Sequence, residues 1–221
     1  MSSKPMCKGV IFDMDGVLID SHPIHKKVWA QFLASLNKQV TEEELDFVLE
    51  GRKREEILRH FLGDLSAELV TEYGKRKNMI YEETSSELKT ICGVEEFLGA
   101  LESAGIPMAV ATSASFVRAR NTLAALGILP RFAAVVTGND VVNGKPDPEV
   151  FVRAAERLNQ VHQDLLVVED AVSGVMAAKS AGMKCLGIAA DGRSEKLRAA
   201  GADRVIPNYR EFGLLQIQQL F

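Results

Sequence analysis

Gly9-Val10-Ile11-Phe12-Asp13-Met14-Asp15-Gly16 sets four apolar residues directly against two aspartates and a glycine. The apolar run is short and continuous rather than alternating, the pattern of a strand covered by helices on both faces. Outward from it, similar runs recur at Met108–Ala111, Ala133–Val136, Leu165–Val168 and Met183–Ile188, and more weakly at Val205–Ile206. Helical patterns fill the intervals at Val94–Ser103, Val117–Leu126, Pro148–Leu158 and Gly174–Ala181. Asp147 before Pro148 reads as a helix start, because the carboxylate accepts from free N–H groups and proline suits the first helical position.

Strand and helix alternate from residue 94 onward, which predicts an α/β core with a doubly wound, Rossmann-like parallel sheet. Residues 21–92 break that rhythm and contain no convincing strand. Ile24, Val28, Trp29, Phe32, Leu33 and Leu36 recur at helical spacing, Thr41 with Glu44 fits a capping box, and Gly51 and Gly63 stand where helices end. An all-helical cap inserted after the first strand is therefore expected at 21–92, with the core formed by 1–20 and 93–221. Short linkers are expected near Asp20–Pro23 and Thr90–Gly93.

A chain of 221 residues suits one large core plus an insertion. With 47% hydrophobic and 25% charged residues, it is neither disordered nor collagen-like. A formal net charge of −4 gives no electrostatic footprint for nucleic acid, so a small-molecule partner is expected. Cys7, Cys92 and Cys185 lie far apart without metal-site spacing and read as reduced, mostly buried thiols. No stretch approaches the ~20 apolar residues of a spanning helix, and none resembles a signal peptide. A cytoplasmic monomer is the expectation.

Ligands of open α/β sheets bind beyond the carboxyl ends of the strands. Those ends carry Asp13 and Asp15, Thr112-Ser113, Gly144-Lys145-Pro146 and Glu169-Asp170. Singly, Thr112 or Asp170 could cap a helix and Lys145 could be a solvated loop charge. Together they bring carboxylates, a hydroxyl and an ammonium to one edge. Clustered carboxylates favour a hard cation such as Mg²⁺, which also binds phosphate oxygens. A lysine and neutral donors would relieve the repulsion when a carboxylate attacks a phosphate dianion. Two other phosphate chemistries fail. Gly138 to Lys145 has the wrong spacing for a P-loop, and Pro146 replaces its Ser or Thr; a signalling receiver places its acceptor Asp on a later strand and has no cap.

Phe12-Asp13-Met14-Asp15-Gly16-Val17-Leu18-Ile19-Asp20-Ser21, Ala111-Thr112-Ser113, Lys145-Pro146-Asp147-Pro148 and Val168-Glu169-Asp170-Ala171-Val172-Ser173-Gly174 resemble, in order, the four motifs of the haloacid dehalogenase superfamily. The resemblance covers essentially the whole chain, and the helical insert resembles that superfamily's cap. It implies that Asp13 is a nucleophile forming aspartyl-phosphate and that Asp15 is a general acid and base, a task favouring a raised pKa. It further implies that Thr112 and Lys145 hold the phosphoryl oxygens, with Gly16 and Ser113 beside the substrate. Asp13, the backbone carbonyl of Asp15, and Asp170 would ligate Mg²⁺, with Glu169 a further ligand or a partner of the ligands.

In the cap, His25 with Trp29 resembles a pair found both in β-phosphoglucomutase-like members and in hexose-phosphate phosphatases of the same branch, whereas Arg54 and Lys77-Asn78 with Tyr81 resemble substrate-facing positions of the β-phosphoglucomutase caps. His22, His60 and His162 read as surface residues. Ala114 and Phe116 depart from the mutases, which carry phosphate-binding Ser and Asn at those places. The resemblance thus implies a Mg²⁺-dependent phosphatase acting on a small phosphorylated metabolite such as a sugar phosphate. The alternative is a phosphosugar mutase. A non-catalytic binding protein on this fold would be expected to lack Asp13 or Lys145, and both remain.

Overall fold

The apolar runs become strands with little change of boundary. In the computed structural model, which describes residues 6–84, 88–190 and 192–221, Gly9–Phe12 is β1, Met108–Ala111 β2, Ala134–Val136 β3, Leu165–Glu169 β4, Lys184–Ile188 β5 and Arg204–Ile206 β6. All pairs are parallel, in the order β3-β2-β1-β4-β5-β6. The chain winds outward from β1 to β3 and returns to β4 on the other side of β1. The crevice where the winding reverses lies beyond the carboxyl ends of β1 and β4. Phe12 is in register with Val168, so Asp13 and Glu169 emerge side by side.

Helices α1 (His22–Ala34), α2 (Arg54–Leu62) and α3 (Ala67–Thr84) follow β1. After them come α4 (Val94–Ser103), α5 (Phe116–Ala125), α6 (Glu149–Leu158), α7 (Val172–Ser180), α8 (Ser194–Ala199) and α9 (Leu214–Gln218). Alternate strand residues divide between two cores, as the two-residue period of a strand requires. Val10, Phe12, Leu166 and Val168 meet Phe97 and Leu101 of α4 and Leu123 of α5. Ile11, Ala109, Leu165 and Val167 meet Phe151 of α6 and Val175 of α7. Both faces are covered, which explains why the strands read as unbroken apolar runs.

Local signals mostly act where expected. Asp147 accepts the Glu149 N–H at 2.9 Å, although α6 begins at Glu149 rather than Pro148. Thr41 and Glu44 exchange both capping-box bonds, at 2.7 and 3.2 Å, but open a 3-10 helix over Glu44–Leu49. Helix α7 starts at Val172, two residues before the expected Gly174.

Residues of α1 to α3 build a third apolar cluster around Trp29, Phe32, Leu33, Leu58 and Phe61. The stretches leading into and out of these helices are paired, Asp20 N–H on Lys89 O at 2.9 Å and Ile91 N–H on Leu18 O at 3.0 Å. Among the described residues, no helix is long and apolar enough to cross a membrane. The three cysteines are free; Cys7 and Cys185 are buried and Cys92 is exposed.

Candidate active site

The end of β1 and the loop before α6 meet at a buried ammonium. Lys145, 1% exposed, places its three donors on Asp13 Oδ1 at 2.5 Å, Glu169 Oε1 at 2.6 Å and Ala111 O at 3.3 Å. The other oxygen of Glu169 accepts the N–H groups of Asp170 and Ala171 at 2.7 and 2.9 Å. Glu169 is thus bound to Lys145 and to its own turn. The room it occupies exists because residue 174 is glycine: a Cβ there would overlap the Glu169 carboxylate. Two carboxylates beside one buried ammonium raise the Lys145 pKa despite the opposing effect of burial.

Asp13 sits in an excess of negative charge. Burial pushes its pKa well above the carboxylate range; Lys145 opposes this, while Glu169, Asp170 and Asp15 add to it. Its backbone is fixed by its N–H on Val168 O at 2.9 Å. Thr112, at the end of β2, accepts the Ala114 N–H on Oγ1 at 3.1 Å, which leaves its hydroxyl proton free to be donated.

Asp15 departs from expectation. Its Oδ1 accepts from Ser21 Oγ at 2.7 Å and Arg118 Nη1 at 3.0 Å, and meets His25 Nε2 at 2.9 Å. Its Oδ2 accepts from Arg118 Nη2. Burial alone would raise this pKa, but Arg118 and His25 outweigh it and hold the carboxyl well below its usual range. The raised pKa expected of a general acid is therefore not found. His25 is itself buried and stacked on Tyr81 with ring centres 5.3 Å apart. Burial, against the pull of Asp15, lowers its pKa to about 4. At neutral pH its hold on Asp15 is a hydrogen bond, and the ionic hold belongs to Arg118.

The third carboxylate, Asp170, meets His22 Nε2 at 2.7 Å and Arg193 Nη1 at 3.3 Å. His22 is thus part of the site and not the surface residue expected. Gly16 gives it room: with φ +72°, a Cβ at Gly16 would overlap both the His22 ring and the Asp170 carboxylate. Ser113, expected beside the substrate, donates to Gly51 O of the helical segment at 2.8 Å. Arg54 and Lys77 line the same cavity as Asp13, Asp15, Thr112 and Asp170. Lys77 is 5% exposed and lies 4.9 Å from the Tyr81 ring centre; burial and then Arg118 lower its pKa to about 7. The cavity holds about 100 Å³, well under the ~300 to 1,000 Å³ of pockets that enclose small ligands.

Arg118 and Arg193 escaped the sequence reading. Arg118 did leave a signal: it is the third residue of α5, where the helix dipole favours an acid over a base. Among the described residues, no three His, Cys, Asp or Glu side chains form a ready cage for a metal ion. Mg²⁺ needs less, since it takes one or two carboxylates and completes its shell with water and phosphate. Buried oxygen donors and the carboxylates gathered around Asp13 fit such an ion.

Residues 10–188 match the family model described as haloacid dehalogenase-like hydrolase. The chain is 34% identical to hexitol phosphatase A of Escherichia coli (strain K12) over 194 residues, covering 86% of this chain and 87% of that protein. It is 38% identical to a phosphorylated carbohydrates phosphatase of Thermotoga maritima over 181 residues, covering 80% and 82%. Its fold matches that of a β-phosphoglucomutase from Clostridium difficile with a TM-score of 0.85 and 27% identity, over 97% of each chain.

Proposed function

The chain belongs to the haloacid dehalogenase-like hydrolase family, and on that premise we propose that it is a phosphatase of small phosphorylated carbohydrates acting through a phosphate ester of Asp13. The observation that carries this reading is the buried Asp13–Lys145–Glu169 chain at the reversal point of the sheet, with Thr112 just beyond the end of the adjoining strand. The carbohydrate class comes from the two similar phosphatases.

In this mechanism an Asp13 oxygen bonds to phosphorus as the bond from phosphorus to the sugar oxygen breaks, and Asp15, protonated once Arg118 no longer holds it as the carboxylate, gives that oxygen its proton. Water then attacks phosphorus, Asp15 takes the proton, and the Asp13–phosphorus bond breaks to release phosphate. Lys145 can exchange its longest contact, Ala111 O, for a phosphoryl oxygen while still paired with Glu169. Thr112 would donate its free hydroxyl proton to another. Asp13, the Asp15 carbonyl and Asp170 would hold Mg²⁺, which when bound would neutralise charge on the phosphoryl oxygens. Glu169 is left out of that set because its oxygens are already engaged. Residues 21–92 would act as a lid that admits substrate to the small cavity and then excludes water.

One observation favours a mutase as the second reading. Arg54, Lys77 and Arg118 are basic groups lining the same cavity as Asp15, and a bisphosphate would supply anions to them. Against it, Ala114 has no side-chain donor, and Phe116 is 49% exposed. Phosphate release from hexitol, hexose and pentose phosphates, beside isomerisation of β-glucose 1-phosphate, separates the two. Asp13→Asn should lower either activity by about 10³-fold or more with folding intact. More than about a tenth of wild-type activity in that variant would exclude Asp13 as the nucleophile.

A further inference from the structure

Both oxygens of Asp15 are engaged. Oδ1 meets Ser21, His25 and Arg118, and Oδ2 accepts from Arg118 alone, so the guanidinium spans the two oxygens. While that bidentate pair holds the carboxylate, neither oxygen is placed to carry a proton to a substrate oxygen, so the pair must loosen first. Ser21 and His25 come from the start of α1 and are buried. Arg118 reaches in from α5, across the cavity, and is the partner a bound molecule can compete for.

The surroundings say what kind of molecule competes. Lys77 is buried against the faces of Tyr81 and Trp29. Arg54 has a buried Nε without a hydrogen-bond partner. Cationic groups out of water are costly unless paired, and here the buried Lys77 and the half-buried Arg54 and Arg118 line one cavity in which Arg118 already takes Asp15. A neutral hydroxyl competes poorly with a carboxylate for a guanidinium, whereas a second anion forms the same bidentate pair.

Resting on the phosphatase reading, we propose that Arg118 is a specificity-determining positioning residue that holds Asp15 until a second anionic group, at the substrate end remote from the transferred phosphate, takes the guanidinium. Arg118 thereby makes turnover depend on the far end of the substrate. The substrate class is a phosphorylated carbohydrate with a distal carboxylate or phosphate.

The test compares three probes: glucitol 6-phosphate (neutral end), 6-phosphogluconate (carboxylate end) and fructose 1,6-bisphosphate (phosphate end). Wild type should turn over at least one anionic-ended probe with a kcat about tenfold above that of glucitol 6-phosphate, the scale of one charge-assisted hydrogen bond. Which of the two anions is faster identifies the distal group. Arg118→Ala should erase the difference by raising kcat for the neutral probe and KM for the anionic one, and added guanidinium should restore it. Arg118→Gln, which keeps the length without the charge, should do the same if the alanine variant folds poorly. Equal losses on all probes, or no change on any, would overturn the proposal. Binding gives a readout independent of turnover: in Asp13→Asn protein, Arg118→Ala should weaken an anionic probe about tenfold and leave glucitol 6-phosphate unchanged. Equal effects there overturn it even if wild type hydrolyses none of the three, whereas full turnover by Asp13→Asn alone would instead defeat the phosphatase reading.

Discussion

His25 links the site to stability through acid. Its folded pKa is about 4, chiefly because it is buried, against ~6.5 in an unfolded chain. A depressed folded value means that the contribution is complete above ~6.5 and is lost as pH falls through about 4. The size is on the order of 3 kcal/mol. Asp15, also lowered, acts in the same direction but only below the ordinary carboxylate range. Urea unfolding between pH 7 and 4 should show a decline that His25→Gln flattens above the carboxylate range; an unchanged profile would remove His25 from the account. Gly174 permits a second prediction. Gly174→Ala forces the Glu169 carboxylate aside, which should cost about 1 to 3 kcal/mol of overpacking and lower kcat by unseating Lys145. Wild-type melting and turnover together would show that Glu169 moves freely. Asp13, Lys145 and Glu169 were legible because each follows a strand or sits in a recognisable motif. Arg118 and His22 were not, because their partners lie 103 and 148 residues away along the chain and a basic residue alone does not announce a carboxylate.

Elements were more legible than contacts. Strand β1 and helix α4 match their expected bounds, since burial on both faces of one and a single apolar stripe on the other leave plain patterns. Helix starts shifted by one or two residues where Pro148 and Val172 could stand inside or outside the first turn. What no pattern foretold is the seam between the loop at residues 50–53 and the core. Ser113 Oγ donates to Gly51 O at 2.8 Å, Ser173 Oγ to Glu50 O, and Lys53 Nζ to Val142 O at 2.6 Å. These bonds hold the helical segment down over the cavity. Each is worth about 0.5 to 1.5 kcal/mol, so Ser113→Ala should shift the lid toward opening and raise KM by roughly two- to twelvefold, with a smaller effect on kcat. Amide exchange at residues 50–54 should quicken in the same variant. A KM and exchange pattern identical to wild type would mean that the seam does not govern closure.

At the scale of the whole molecule, closing residues 21–92 onto the core would set Arg54 of α2 and Lys77 of α3 against Arg118 of α5, and like charges repel. Asp13, Glu169 and Asp170 all belong to the core and would stay together open or shut. Burial and then Arg118 lower the pKa of both Arg54 and Lys77, and Asp15 opposes this at Lys77. Without ligands, the closed form would therefore carry a penalty from these basic groups that the hydrogen bonds of the seam must outweigh. A phosphate group would supply anions and Mg²⁺ would supply the cation, so the two should favour closure more together than either does singly. Solution scattering should give a radius of gyration near ~17 Å for the compact chain with Mg²⁺ and a phosphate mimic such as vanadate. It should be larger without ligands, with chelator, or with vanadate alone. Raising the salt concentration should narrow the gap only modestly, because buried charges are screened less than exposed ones. One invariant radius across all these conditions would mean that the seam alone decides closure and that repulsion between Arg118 and the basic groups of the helical segment does not open the lid.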